Sequence, residues 1–357
     1  MPLFMDFHKF DSITIADVAT AHLADQSIQD KYGVKYHQFW VNQDSGTVFC
    51  LTEGPDAKTC EMVHQIAHGN IACAMTEVEP GHFKILMGEK HFVDHGVVKK
   101  EDGNIDLGYR TMLVASVRGT TNACNSSDLH LLQIPQWAKA LTCQNISTFH
   151  GREVKWEADD SIIGVFNEAA EAVNCARQIQ RELLNNESKV IFKIGISADQ
   201  PVTKDGEFFT KAISLAHRLS FAAEDNHILA SSLVKRLCWG DHASTTLKYL
   251  DLPEEQFVSD LLTIANQNLS DRAFNIESIC KDIGVSRPQL YRKTTSLTGR
   301  APNDFLREIR MEKALTLLKQ KSGNISQVAL EVGYNNPSYF SKCFAEKFGC
   351  MPSEITA

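Results

Sequence analysis

No stretch of this 357-residue sequence approaches the roughly 18 consecutive apolar residues that a bilayer crossing requires. Its first residues, MPLFMDFHKFDSITIAD, lack both the basic start and the unbroken apolar segment of a secretion signal. No Cys-x-x-Cys pair occurs among the ten scattered cysteines, so the usual zinc and dithiol spacings are missing. Reduced thiols serving as small core side chains in a cytoplasmic chain with no membrane partner are the expectation. Low-complexity and Gly/Pro-rich linkers are missing too, which predicts domains that pack on one another. With 43% hydrophobic and 22% charged residues the composition is that of a globular protein. Its length predicts two or three domains.

The net charge of −8 is unevenly spread. Residues 258–357 hold 13 Lys and Arg against 10 Asp and Glu, leaving 23 against 34 for the rest. A mildly basic tail on an acidic body suits a nucleic-acid-contacting module joined to something else.

That tail contains an internal repeat. NIESICKDIGVSRPQLYRKTTSLTG starts at Asn275 and NISQVALEVGYNNPSYFSKCFAEKFG at Asn324. Each opens Asn-Ile and has a Gly nine residues on, Gly284 and Gly333, followed by Ser or Asn ahead of a Pro-started helix. Asn275 and Asn324 read as N-caps, the glycines as left-handed turns, and Ser286 and Asn336 as the next caps. This is a doubled helix-turn-helix. Phe340, Phe344 and Phe348 recur every four residues and form the inward stripe of the last unit, as Leu290 and Leu297 do in the first. Pro288, Tyr291, Arg292, Thr295, Ser338, Ser341 and Lys342 are left to meet base edges of double-stranded DNA. Arg287, Lys293 and Arg300 are placed to neutralise phosphates. Between the units, APNDFLREIRMEKALTLLKQK carries Phe305, Ile309, Ala314 and Leu317 on one stripe, which predicts a single spacing helix. The segments SRPQLYRK, PNDFLREIRMEKALTLL and ALEVGYNNPSYFSKCFAEKFGCMPSE resemble the DNA-binding domain of the AraC/XylS family of bacterial regulators. That resemblance implies an all-α reader over residues 258–357. It departs at Ile355-Thr356, where the family usually has an aromatic residue and Arg.

Residues 1–80 parse as strand, helix, strand, strand, helix, strand, the ferredoxin-like split βαβ order. The helices are TIADVATAHLADQSIQDKYG and DAKTCEMVHQIAHG, with a hairpin around Asp44-Ser45-Gly46. His64 and His68 are four apart, a spacing that lets both imidazoles reach one metal ion, and that equally suits a solvated helix face. His22 on the first helix and His8 on the first strand are further candidate ligands, and Cys50 a weaker one. Imidazole donors suit Ni, Zn or Cu alike. MDFH, AHLAD, KYGV, GTVFCL, GPDA and VHQIAHG resemble a family of small ferredoxin-like bacterial proteins, some described as nickel-responsive.

The middle, residues 105–245, is similar to class III nucleotidyl cyclase domains. The carrying segments are RTMLVASVRGTT, HGREVKWEADDSIIGVF, EAVNCARQIQRELL, FKIGISAD and FFTKAISLAHRL. The resemblance implies an α+β domain whose two metal-binding carboxylates fall at Ser116 and at Asp160, with Asp159 open as the second. Asp199 replaces a usual Gly, Ser214 stands where an Asn is usual, and Arg218 survives. Ser116 offers no carboxylate, so this middle domain is expected to bind a ligand or dimerise without turnover. Pro253, in LKYLDLPEEQFVSDL, is the expected boundary before the tail.

These parts together predict a homodimeric, cytoplasmic, DNA-binding transcription regulator. Its effector, a small ligand or metal ion, would act on the head or middle. A cyclase or nucleotide-binding protein with an accessory DNA-binding tail, and a metal-binding protein, are the alternatives.

Overall fold

The computed structural model describes residues 1–89, 92–119, 134–154, 161–186, 190–238 and 246–356. The chain opens with β1 (Leu3–Lys9), α1 (Ile15–Ile28), β2 (Lys35–Asn42), β3 (Thr47–Glu53), α2 (Ala57–His68) and β4 (Ala74–Glu77). The strands stand in the order β4-β1-β3-β2, with antiparallel neighbours. A hairpin of β5 (Phe92–Asp94) and β6 (Val97–Lys99) continues the sheet beyond β2. Thr14 caps α1 in a reciprocal box with Asp17, and Asp56 caps α2. The helix expected to run to Gly33 ends as α at Ile28 and tightens into a 3-10 turn over Gln29–Tyr32. The β2–β3 turn needs a glycine: Gly46 has φ 61°, and a Cβ there would stand 2.1 Å from the Phe10 carbonyl oxygen.

Alternation along β1 decides what each face meets. Met5 and Phe7 point one way; Phe4, Asp6 and His8 point towards α1 and α2. Met5, Phe7, Trp40, Phe49 and Leu51 share one core with Met112, Val114, Ile163 and Val165 of a second sheet. Phe83, Leu86 and Met87 of α3 (Pro80–Met87) join it. Arg110, fully buried at this junction, is held by Asp106 at 2.8 Å and by the Met87 carbonyl at 3.1 Å. The Trp40 indole N–H also donates to Asp106, at 3.2 Å.

The second sheet repeats the succession of the first. It runs β7 (Arg110–Gly119), α4 (Gln136–Thr148), β8 (Arg152–Val154), β9 (Ser161–Phe166), α5 (Ala169–Asn185) and β10 (Val190–Asp199). The order is β10-β7-β9-β8, matching β4-β1-β3-β2 strand for strand. After α6 (Thr210–Ala222), the short strands β11 (Ile228–Ala230) and β12 (Leu247–Tyr249), separated by α7 (Ser232–Leu237), extend it in parallel beside β10. Helices α4 and α5 cover one face over Leu113, Ala115, Ile162, Phe166, Ile194 and Ile196. α6 lies on the other, pressed against β10.

Seven helices follow: α8 (Leu252–Gln267), α9 (Ile276–Ile283), α10 (Arg287–Thr298), α11 (Pro302–Lys319), α12 (Ile325–Glu331), α13 (Pro337–Phe348) and α14 (Pro352–Thr356). Pro253 falls where the strands end and the helical part begins. It lies in the first turn of α8, capped by Asp251, and Leu250 and Phe257 on either side share one core. That core joins Leu219, Ala222 and Leu229 of the second sheet's layer to Leu261, Ile279, Leu290, Phe305 and Ile309. The last core holds Met311, Ala314, Leu318, Val328, Phe340, Phe344 and Phe348. The apolar side of α11 therefore belongs to two cores in turn. Among the described residues no helix is long and apolar enough to cross a membrane.

Gly195 on β10 marks the tightest helix-on-sheet contact. An added Cβ would stand 2.0 Å from the Ala216 carbonyl oxygen and 2.3 Å from the Ser220 nitrogen, both backbone atoms of α6. Gly195→Ala is expected to cost at least about 1–3 kcal/mol, read as a lower urea midpoint by circular dichroism.

Candidate nucleic-acid interface and a buried acid–imidazole cluster

The two candidate reading helices, α10 and α13, are built alike. Each has twelve residues, a side-chain N-cap (Ser286, Asn336) and a left-handed glycine after its last turn (Gly299, Gly349). Their fourth residues, Leu290 and Phe340, and their eighth, Thr294 and Phe344, are buried. The preceding helices α9 and α12 are capped by Asn275 and Asn324, and the turns run through Gly284 (φ 75°) and Gly333 (φ 82°).

Superposing the caps pairs Arg292 with Lys342, the sixth residue of each helix, and both are exposed. Pro288 pairs with Ser338 at the second position, also exposed. Tyr291 is exposed as well. Two hydroxyls expected outside are turned back on the fold. Thr295 Oγ1 donates to the Arg300 carbonyl at 3.4 Å, and Ser341 Oγ donates to the Pro337 carbonyl at 2.9 Å. Among the expected phosphate contacts, Arg287 is exposed and pairs with Glu277 at 3.1 Å. Lys293 is exposed but its ammonium lies 5.1 Å above the Phe257 ring. Arg300 is a correction. Its guanidinium faces the second sheet's layer, bonded to Glu308 at 2.6 Å and Asp225 at 3.0 Å, because buried Glu308 needs cations around it. Sequence reading missed Tyr339, more than half exposed at the third position of α13; counting from its N-cap Asn336 would have found it.

In the first sheet, Asp6 of β1 is fully buried, and its Oδ2 lies 2.7 Å from His64 Nε2 and 3.5 Å from His8 Nε2. The Cys50 N–H donates to Asp6 Oδ1 at 2.8 Å. The other imidazole nitrogen, His64 Nδ1, is 3.0 Å from Asp25 Oδ2 and 3.1 Å from His68 Nε2. Asp25 Oδ1 and His68 Nε2 are 3.2 Å apart. The structure thus gathers His8, Cys50 and His64 around Asp6, and His64 and His68 around Asp25, with His64 common to both groups. It leaves His22 aside, packed between Tyr36 and Phe39, with Nε2 3.0 Å from the Gln26 amide. The two carboxylates, Asp6 and Asp25, were not singled out from sequence. Asp25 three residues after His22 was the available signal, since i and i+3 share a helix face.

Electrostatics follow from burial and pairing. Burial alone would lower the His64 pKa, but its hydrogen bonds to Asp25 and Asp6 raise it to about 10. Burial pulls Asp6 upward, and the charges and hydrogen bonds of His8 and His64 still hold its carboxyl well below the usual range. Asp25 is depressed in the same way, its desolvation outweighed by bonds to His64 and His68. Burial pushes the Cys50 thiol well up, with Asp6 adding to the effect. The resulting group suits two uses, a neutralised salt-bridge chain or a donor set for a cation.

In the second sheet, Ser116 Oγ lies 3.1 Å from Ser220 Oγ and 3.3 Å from Ser161 Oγ. Arg218 donates to the Ser259 carbonyl of α8 at 3.3 Å. Ser214 is exposed. Burial raises the Asp199 carboxyl pKa. Asp159 and Asp160 lie outside the described residues.

Two family models match parts of this chain. Residues 279–357 match the family described as "Helix-turn-helix domain" and residues 4–78 the family "Nickel responsive protein SCO4226-like". The solved SCO4226 of Streptomyces coelicolor A3(2) is 38% identical, over 21% of this chain and 94% of that one, with a TM-score of 0.21. The HTH-type transcriptional regulator YidL of Escherichia coli K12, described as uncharacterized, is 26% identical over 44% of this chain and 52% of its own length. An adenylate/guanylate cyclase/hydrolase structure from Silicibacter pomeroyi aligns with 38% of this chain and 82% of that one at 24% identity, with a TM-score of 0.30. The chain spans 7% to 52% of the length of the first curated relatives it matches. The chain thus carries an AraC-type helix-turn-helix domain at its C-terminal end and an SCO4226-like domain at its N-terminal end.

His64→Ala would leave two buried carboxylates without their shared cation, at a cost of about 3–5 kcal/mol. Because the folded pKa of His64 is raised, its contribution is full below its unfolded value near pH 6.5 and fades as pH rises through about 10. Urea titrations at pH 6.5 and pH 10 should therefore show a larger fall in stability for the parent than for His64→Ala.

Proposed function

We propose that the chain is a transcription regulator whose C-terminal module reads double-stranded DNA and whose N-terminal cluster binds a transition metal ion as effector. The observation carrying the first half is the pair of twelve-residue helices joined by α11, each with a side-chain N-cap, a left-handed glycine after its last turn and an exposed cation at its sixth position. Recognition helices placed in successive major-groove turns stand about 34 Å apart, and an 18-residue spacer such as α11 is about 27 Å long. Arg292 and Lys342 are the proposed base readers, helped by Ser338 and Tyr291. Arg287 and Lys293 are the proposed phosphate contacts.

Arg292→Ala and Lys342→Ala should each cost about 1–3 kcal/mol at a selected site and relax the preference there. Lys293→Ala should weaken binding evenly across sequences and reduce the salt slope by about 1. Fluorescence anisotropy on DNA enriched from a random pool measures both. Equal affinity of all three variants and the parent would remove these assignments.

For the metal, the donor set fits. Asp25 Oδ2, His64 Nδ1 and His68 Nε2 stand 3.0–3.2 Å from one another, forming one triangular face. Asp6 grips the far nitrogen of His64, as carboxylates behind metal-bound imidazoles do. Buried His8 Nδ1 has no hydrogen-bond partner among the described residues. Nitrogen and carboxylate donors suit Ni, Zn or Cu, and the bound ion would supply positive charge that fixes α1 and α2 to β1. Calorimetric titration with nickel should show saturable binding that Asp25→Asn and His68→Ala each reduce at least tenfold. Unchanged binding in both would exclude this face. The second sheet we read as a scaffold without cyclase turnover, since Ser116 presents a hydroxyl where two-metal chemistry needs a carboxylate.

A further inference from the structure

The polar side of α11 carries Glu308 and Glu312, one turn apart and both largely buried. Arg118 of β7 meets both oxygens of Glu312 at 2.7 Å. Lys193 of β10 meets Glu308 at 2.8 Å. From the helical side, Arg300 reaches Glu308 at 2.6 Å, and Lys347 of α13 lies 2.8 Å from Glu312 and 3.5 Å from Glu308. Four cations thus share two buried carboxylates. Asp225, half exposed, adds a third acid 3.0 Å from Arg300 and 3.6 Å from Lys193. At the rim, Arg307 and Asp304 pair with each other at 2.8 Å and leave the balance unchanged.

These groups line a cleft of about 920 Å³ between the second sheet and the helices α11 and α13. Its size and its place at a domain junction are those of small-molecule sites. Ser116 and Arg218 stand on its wall, the arginine bonded only to a backbone carbonyl among the described residues. Burial lowers the Lys193 pKa; Glu308 and Asp225 oppose that shift and Arg300 adds to it. Half of the cations come from the DNA-binding module, so the cleft is a product of the way the two parts are joined.

We propose that this cleft binds a small multivalent anion, phosphate- or carboxylate-bearing, which competes with Glu308 and Glu312 for Arg118, Lys193, Arg300 and Lys347. Charge-assisted, bidentate arginine contacts favour such groups. Occupancy would loosen α11 and the C-terminal end of α13 from the second sheet. That consequence for DNA rests on the function proposed above; the binding does not.

Calorimetry of the full chain with inorganic pyrophosphate and, separately, with citrate tests it without any DNA. Saturable binding of either is expected, weakened at least tenfold by Arg118→Gln and by Lys193→Gln and unchanged by the surface variant Lys139→Ala. Removing a competitor should tighten binding, so Glu312→Gln is expected to bind several-fold better, a gain that damaged folding cannot produce. A response to pyrophosphate alone assigns a phosphate ligand, and to citrate alone a carboxylate. No saturable heat with either anion, or equal affinity in Arg118→Gln, Lys193→Gln and parent (an adventitious ion only), overturns the proposal. The anisotropy experiment on Arg292→Ala and Lys342→Ala is independent, so failure of DNA reading would be seen separately.

Discussion

The packing of α11 is the constraint from which the C-terminal half takes its form. Phe305, Leu306 and Ile309 fill the core shared with the second sheet's layer, while Met311, Ala314, Leu315 and Leu318 fill the core under α13. A helix buried in both cannot turn relative to either without exposing apolar surface, at about 25 cal/mol per Å². Its remaining side is held by buried ion pairs whose loss on one side would leave charges uncompensated. The two helix-turn-helix units are accordingly held in one geometry.

The same continuity runs back to the first sheet. Its inner face shares a core with the second sheet, and α6 contributes Ala212, Ile213 and Ala216 there and Leu219 and Ala222 to the next core. The acid–imidazole cluster lies on the opposite face of the first sheet, under α1 and α2, separated by one strand layer from residues that touch α6. Interiors packed this tightly transmit displacement rather than absorb it. A cation that drew α1 and α2 together would thus act on a layer already joined, through two cores, to the reading helices.

Much of this was legible in the sequence because it was written in local chemistry. Caps at Asn275, Ser286, Asn324 and Asn336, the glycines Gly284 and Gly333, and the phenylalanine stripe of α13 each state a backbone need that depends on few neighbours. The strand–helix alternation of the first sheet was readable for the same reason. What escaped was set by tertiary neighbours. Pro253 stands at the start of the helical part, but the core that runs across it from Leu250 to Phe257 shows only in the fold. Arg300 reads as a surface cation until Glu308 and Asp225 are brought to it from elsewhere in the chain. Asp6 and Asp25 look like ordinary polar residues on a strand and a helix, and only the closing of α2 over β1 makes them the acids of a buried cluster.

One consequence follows from α11 being both ruler and axle. Each added residue in an α-helix advances the chain by about 1.5 Å and swings it through about 100°. A single insertion between Ile309 and Met311 would swing one reading helix out of line with its twin and unseat the pairs at Glu312. On the proposed DNA-reading role, the interval between the two reading helices can lengthen only by whole turns, three or four residues together, so the spacing of the sites they fit should change in jumps.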